Sequence, residues 1–164
     1  MIGKGEHLTC TACGKKYRLS ELGALECEEG ECEYPHIPDW YKWQRKCVKE
    51  ELENGTYKLD TPVDIAVQVN LDGVCMIGSG RLTHDENGFR LTGGEGKLDY
   101  RQSATASHTL YSDYYWYEIG DVICIGDNEF SYFCFPKADV SVTKARLATE
   151  ELYKMKKKRK AAAI

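Results

Sequence analysis

Long apolar runs are missing from this 164-residue chain: no stretch approaches the roughly 20 consecutive apolar positions that a membrane-spanning helix needs. The first residues, Met1-Ile2-Gly3-Lys4-Gly5-Glu6-His7, hold no apolar h-region, so the start does not read as a secretory signal. A basic excess is missing as well. The formal charge is −4, which argues against a nucleic-acid binder working through a global positive field. There is no internal repeat, and the one low-complexity segment is the basic tail Lys154-Met155-Lys156-Lys157-Lys158-Arg159-Lys160. A nucleotide-binding loop is not apparent either. Gly93-Gly94-Glu95-Gly96 precedes a strand pattern, whereas a phosphate cradle opens a helix.

Cysteine is not scarce, with eight in all, but its arrangement speaks against a secreted disulfide framework. Cys10-Thr11-Ala12-Cys13-Gly14-Lys15 has the form of a zinc knuckle, in which two thiolates reach one ion from a tight turn that the glycine permits. Cys27 and Cys32 offer a second pair, separated by Glu28-Glu29-Gly30-Glu31. The expected ligand set is Cys10, Cys13, Cys27 and Cys32 around a structural Zn2+, with His36 and then His7 in reserve. A closed shell of thiolates leaves no position for substrate. The segment has little hydrophobic periodicity, so metal binding would supply most of its folding free energy, on the order of 10 kcal/mol. Cys47, Cys75, Cys124 and Cys134 stand singly among apolar residues and read as small buried hydrophobes in a reducing compartment.

Periodicity organises the remainder. From Asp39 to about Glu53, Trp40, Trp43, Cys47, Val48 and Leu52 recur at helical steps, with Pro38 before them and Asn54-Gly55 after. From Tyr57 the period becomes two. Val63, Ile65, Val67, Val69 and Leu71 alternate with polar or small residues up to Asp72-Gly73, and a second run covers Val74 to Thr83. Asn87-Gly88 is a hairpin signal into Phe89-Arg90-Leu91-Thr92. Further strand candidates are Lys97 to Arg101, Ser107 to Tyr111, Tyr114 to Ile119, Val122 to Ile125 and Glu129 to Phe135. After Pro136, Val142, Ala145, Ala148, Leu152 and Met155 form a helical stripe, with Ser141 or Asp139 as the cap. The expected fold is mainly β with α. It comprises a zinc ribbon over 1–37, a connector helix over 38–56, a pleckstrin-homology-like antiparallel β-barrel of about seven strands plugged by a C-terminal helix over 57–155, and a basic tail over 156–164. The aromatic run Tyr111, Tyr114, Tyr115, Trp116 and Tyr117 should place Tyr115 and Tyr117 on one face and Tyr114 and Trp116 on the other.

Certain strings carry a resemblance. His36-Ile37-Pro38-Asp39-Trp40-Tyr41-Lys42-Trp43-Gln44-Arg45, Gly73-Val74-Cys75-Met76-Ile77-Gly78-Ser79-Gly80-Arg81-Leu82-Thr83 and Tyr115-Trp116-Tyr117-Glu118-Ile119-Gly120-Asp121 resemble a region of clostridial proteins in the 1-acylglycerol-3-phosphate acyltransferase family. There the matching region follows the catalytic domain as a C-terminal extension. The resemblance runs from about Cys10 to Tyr153. It implies an accessory role beside phospholipid synthesis, with an acyltransferase as a candidate protein partner. The catalytic signature of that family is His-x4-Asp on a loop opening a helix, with a phosphate-holding Glu-Gly-Thr-Arg-like string. His108 and Asp113 have the first spacing, but they lie in a strand-and-turn pattern and Glu53-Asn54-Gly55-Thr56-Tyr57 lacks the arginine.

The sequence therefore leads to a non-catalytic, zinc-stapled binding module of the cytoplasm, with no catalytic residue. A protein partner is the first expectation for its binding domain. An anionic membrane surface is the second, at the inner face of the membrane, because each basic residue of Lys154 to Lys160 can add roughly 1 kcal/mol there. The rival readings are an acyltransferase-type enzyme acting through His108 and Asp113, and a nucleic-acid-binding ribbon. Glu28, Glu29, Glu31 and Glu33 oppose the latter by repelling phosphates.

Overall fold

The computed structural model describes residues 2–11, 13–70 and 73–162, which divide into two compact units, one ending at Cys47 and the other beginning at Val48. The expected strand residue Leu71 and turn residue Asp72, together with Met1, Ala12, Ala163 and Ile164, lie outside the described residues.

The N-terminal unit is a four-stranded antiparallel sheet in sequential order, β1 (Ile2–Lys4), β2 (His7–Thr9), β3 (Lys16–Leu19) and β4 (Leu25–Cys27). Beyond β4 an isolated antiparallel bridge joins Ala24 to His36, and helix α1 (Ile37–Glu53) follows. The helix starts two residues ahead of the expected Asp39. Pro38 is at home in the first turn, because its missing N–H would have no intrahelical acceptor there, and the His36 carbonyl accepts from the N–H groups of Asp39 and Trp40. Leu25 is buried, Trp40 stacks on Tyr17 with centroids 5.9 Å apart, and Trp43 tilts against Tyr34 at 5.5 Å. Two ring contacts, one of them with an exposed Trp43, thus accompany the cysteines, which the sparse periodicity of this segment gave no reason to expect. The boundary between the units falls inside α1.

The C-terminal unit is one seven-stranded antiparallel sheet: β5 (Leu59–Asn70), β6 (Gly73–Asp85), β7 (Gly88–Gly93), β8 (Leu98–Ser103), β9 (Tyr111–Trp116), β10 (Gly120–Gly126) and β11 (Ser131–Pro136), followed by helix α2 (Val142–Ala162). The strand order is β8-β7-β6-β5-β11-β10-β9. The expected closed barrel is therefore not formed, since β8 and β9 are the two edges of a single sheet. Curling brings the edge region of β8 towards β10 and β11, but side chains make the link. Gly126 N–H donates to Gln102 Oε1 at 2.9 Å, and Tyr100 packs against Tyr132 with centroids 5.1 Å apart. Helix α2 packs on β9 and β10. Its expected stripe is inward, with Val142, Ala145, Ala148 and Leu152 buried and Met155 half-buried, and Ser141 caps it through Oγ to Lys144 N–H at 3.2 Å.

Two expected strands are corrected. Ser107 to Tyr111 is largely loop. Thr109 Oγ1 donates to Glu150 of α2 at 3.1 Å and Leu110 drops into the core, so the helix claims a segment that would otherwise have paired. Tyr111–Trp116 then forms one strand where two were expected. Among the lone cysteines, Cys134 is buried and Cys47 and Cys124 are half-buried, whereas Cys75 is exposed on the solvent-facing end of β6. Burial pushes the Cys124 thiol up to about 11 and the Cys134 thiol higher still, as expected of inert packing groups.

A glycine pair lets three neighbouring strands pack closely. Gly80 of β6 lies opposite Gly93 of β7, and Ile65 of β5 covers both. A Cβ on either would sit 2.6 Å from Ile65 Cδ1, and one on Gly80 would also run into the Thr92 carbonyl. Gly80→Ala should cost about 2 kcal/mol or more through this overpacking, measured as a lowered urea midpoint. A midpoint equal to that of the parent would show that the close approach at Gly80 does not constrain the fold.

His84 is buried against Phe89, with centroids 3.7 Å apart and rings nearly parallel, and its Nδ1 lies 2.9 Å from the Tyr57 hydroxyl. Burial lowers its pKa from 6.5 to about 4, against a small opposing pull from Asp85. In the unfolded chain the imidazole takes a proton near pH 6.5, while the folded chain resists it until about pH 4. The unfolded state thus binds more protons in that window. Stability supplied at neutral pH is lost as pH falls through it, by on the order of 3 kcal/mol. His84→Gln should flatten this part of the stability profile in urea titrations from pH 7 to pH 4. An unchanged slope would refute it.

Candidate metal centre

Two loops of the N-terminal unit carry the four expected thiol ligands. The first joins β2 to β3. Cys10 N–H donates to the Lys15 carbonyl at 2.8 Å and Gly14 N–H to the Cys10 carbonyl at 2.9 Å, which curls the chain between Cys10 and Cys13. Gly14 holds φ +74, a region open to glycine and strained for other residues. The second loop leaves β4 at Cys27, whose register partner on β3 is Tyr17. Here the sulphur atoms face inward along the backbone. Cys32 Sγ donates to the Leu25 carbonyl at 3.2 Å, and Cys27 Sγ lies 3.5 Å from the Glu31 carbonyl. Burial, then the hydrogen bond and charge of Cys32, raise the Cys27 thiol above its ordinary value, so these two side chains are direct neighbours.

The loops share a lysine and a tyrosine. Lys15 Nζ donates to the Glu31 carbonyl at 2.8 Å, lies 3.9 Å from Glu33 and sits 5.7 Å from the centre of the Tyr17 ring. Desolvation pulls its ammonium down, but Cys27, Tyr17, Glu33 and Cys32 together outweigh this and hold it above its ordinary value. Burial raises the Tyr17 phenol. Lys15 opposes that rise, while Cys27, Glu33 and Cys13 add to it. Tyr17 therefore feels sulphur from both pairs. Among the described residues, no three Cys, His, Asp or Glu side chains converge into a ready-made metal cluster. The arrangement is two dithiol pairs on adjoining loops. Its donor chemistry fits zinc, with soft sulphur ligands and a lysine positioned to offset the negative charge of a tetrathiolate ion.

Of the reserve ligands, His7 is engaged through its side chain and His36 through its backbone. His7 lies 3.3 Å from Glu28 and 3.7 Å from Glu6, and His36 bridges to Ala24 and opens α1 with its carbonyl. His108 and Asp113 are not brought together. The His108 ring meets the edge of Tyr153 on α2 from the loop before β9, while the Asp113 carboxylate accepts from Tyr114 N–H on β9 at 2.8 Å. Among the described residues no hydrogen bond or ion pair joins the two. Lys15, Tyr17 and the Trp40 stack were not legible as parts of this site. Only the placement of Lys15 directly after the knuckle pointed that way.

No protein-family model matches the sequence, and no curated protein matches it.

Gly14→Val should strain the first loop by about 1 kcal/mol and speed exchange of the Cys10 amide about fivefold. Hydrogen–deuterium exchange reads this directly, and an unchanged Cys10 rate would mean that the loop does not depend on its left-handed glycine.

Proposed function

We propose that this chain is a non-catalytic binding module whose N-terminal unit is a zinc ribbon held by Cys10, Cys13, Cys27 and Cys32, and whose C-terminal unit docks to a protein partner or an anionic lipid surface. The observations that support the zinc reading best are the curled Cys10–Lys15 loop next to the neighbouring Cys27 and Cys32, and Tyr17 between them, which is influenced by Cys13 and Cys27. Four thiolates would close the shell, leaving zinc a structural role with no open coordination position.

The pleckstrin-homology-like reading of the second unit rests on strand order. Four strands in one meander and three in another are joined through β5 and β11, with a final helix against the second meander. That plan supports recognition more readily than chemistry, and His108 is engaged by Tyr153 rather than by a carboxylate. The basic end of α2 supports the lipid surface. Lys154, Lys157, Lys158 and Arg159 are exposed, and Lys157 lies over Tyr153 at 5.3 Å. Among the described residues, no helix is long and apolar enough to cross a membrane, so such contact would be peripheral. An acyltransferase is the partner that the sequence resemblance suggests.

Native mass spectrometry of the untagged chain tests the ribbon. We expect about one zinc per chain, lost in Cys27→Ser together with amide protection in β3 and β4, while the C-terminal unit keeps its unfolding midpoint. A metal-free chain with β3 and β4 still protected would remove the reading.

A further inference from the structure

The outer face of the half-sheet formed by β5, β11, β10 and β9 carries a groove of about 730 Å³. Its walls and floor include Tyr111, Trp116, Tyr117, Ile119 and Phe133, with Gln68 as a polar neighbour. Trp116 lies on Phe133 with centroids 4.8 Å apart and rings 22° from parallel, and Tyr117 stands perpendicular to Trp116 at 4.5 Å. Two aromatic walls thus meet at a right angle. Tyr117 is 80% exposed and Tyr111 53%, so these rings are not accounted for by packing within this unit.

The backbone holds this corner in a costly conformation. Tyr115, Tyr117 and Glu118 adopt left-handed φ values of 52°, 46° and 61°, while the described chain has only one other non-glycine residue in that region, Glu95. Such residues cost of order 1–3 kcal/mol each and gather where structure serves a site. Local bonds fix the turn: Glu118 N–H donates to the Tyr115 carbonyl, Ile119 N–H to the Trp116 carbonyl, and Tyr115 N–H to the Asp121 carboxylate. The left-handed turn breaks the two-residue alternation and turns Tyr117 outward beside Trp116.

Charge decides what such a corner can hold. Among the described residues, no Lys, Arg or His lines the groove. Asp113 pairs in register with Val122, and Tyr111 with Cys124, so the Asp113 carboxylate shares the groove's face of the sheet; Glu118 lies in the turn itself. The surroundings therefore favour a cation. A primary ammonium or a guanidinium needs acceptors to replace its water, and the groove offers few. A quaternary ammonium needs none and is attracted to ring faces.

We propose that this groove binds a quaternary ammonium group, either on a soluble trimethylammonium compound or as the headgroup of a choline lipid. This goes beyond the zinc and docking reading and does not depend on it. The test is NMR titration of the intact chain, following the Trp116 indole N–H, with tetramethylammonium and choline against 3,3-dimethylbutan-1-ol, which has the shape of choline without the charge. Saturable shifts are expected with both cations, in about the millimolar range, and not with the alcohol. Tyr117→Leu should weaken binding about tenfold, whereas Tyr117→Phe should retain it; an exposed ring is replaced in each, so both variants should fold. Co-sedimentation with phosphatidylcholine vesicles assigns the lipid source, and binding of free choline without co-sedimentation assigns the soluble one. Equal binding of the neutral alcohol, or no saturation with either cation, overturns the proposal.

Discussion

The C-terminal unit depends on the pairing of β5 with β11. Each of the two meanders, β5 to β8 and β9 to β11, is local and could form from its own hairpins. Only the antiparallel ladder from Val63↔Pro136 to Gln68↔Ser131 makes them one sheet. That ladder runs through the core of the unit. Val63, Ile65 and Ala66 on β5 and Cys134 and Phe135 on β11 are all buried, so β5 is a central strand with apolar neighbours on both faces. Its alternation is correspondingly weak in the middle, where Ile65 and Ala66 are both buried beside a bulge in the β5–β6 register. Bringing sequence-distant strands together is entropically demanding. The closely packed glycine pair and the side-chain link from Gln102 to Gly126 lie on the neighbouring strands.

Most of this unit was legible in its sequence, for identifiable reasons. The Asn87-Gly88 turn, the alternation along β5 and the α2 stripe each follow from a local rule, and each element formed near its expected bounds. Closure was not legible, because whether β8 meets β9 depends on how far the sheet curls, and no local pattern records that. The loop around Thr109 was misread for a related reason: its strand-like composition is overridden by a bond to Glu150 on the final helix. The aromatic run shows the limit of period-two reasoning most clearly. Tyr114 bonds Thr143 through its hydroxyl and Trp116 turns onto Phe133, while left-handed Tyr115 and Tyr117 belong to neither face of an ideal strand.

In the N-terminal unit the cysteine spacing was the readable signal, and the structure adds the chemistry around it. The proposed tetrathiolate site would concentrate negative charge, and an unbalanced cluster would repel itself as well as the acidic loop of Glu28, Glu29, Glu31 and Glu33. Lys15 would answer both problems, since it bonds the Glu31 carbonyl, approaches Glu33 and is held above its ordinary value in part by Cys27 and Cys32. The Tyr17–Trp40 and Tyr34–Trp43 contacts show that this unit also draws on ring packing. Aromatic pairs of this kind contribute about 0.5–1.5 kcal/mol each beyond area burial. This is far less than a structural zinc would supply if bound.

The second unit carries two charge environments of opposite sign, and helix geometry separates them. Tyr114 on β9 bonds Thr143 at the start of α2, which ties the acidic, aromatic edge of the sheet to the first turn of the helix. The basic run begins at Lys154, three turns further on, and at 1.5 Å per residue this is about 16 Å along the axis. At physiological ionic strength that exceeds the screening length of about 8 Å. Lysines at the far end therefore neither neutralise the carboxylates near Trp116 nor compete for what the groove takes. An anionic surface met by the helix end and a cation held between the rings would be separate events, and one could occur without weakening the other.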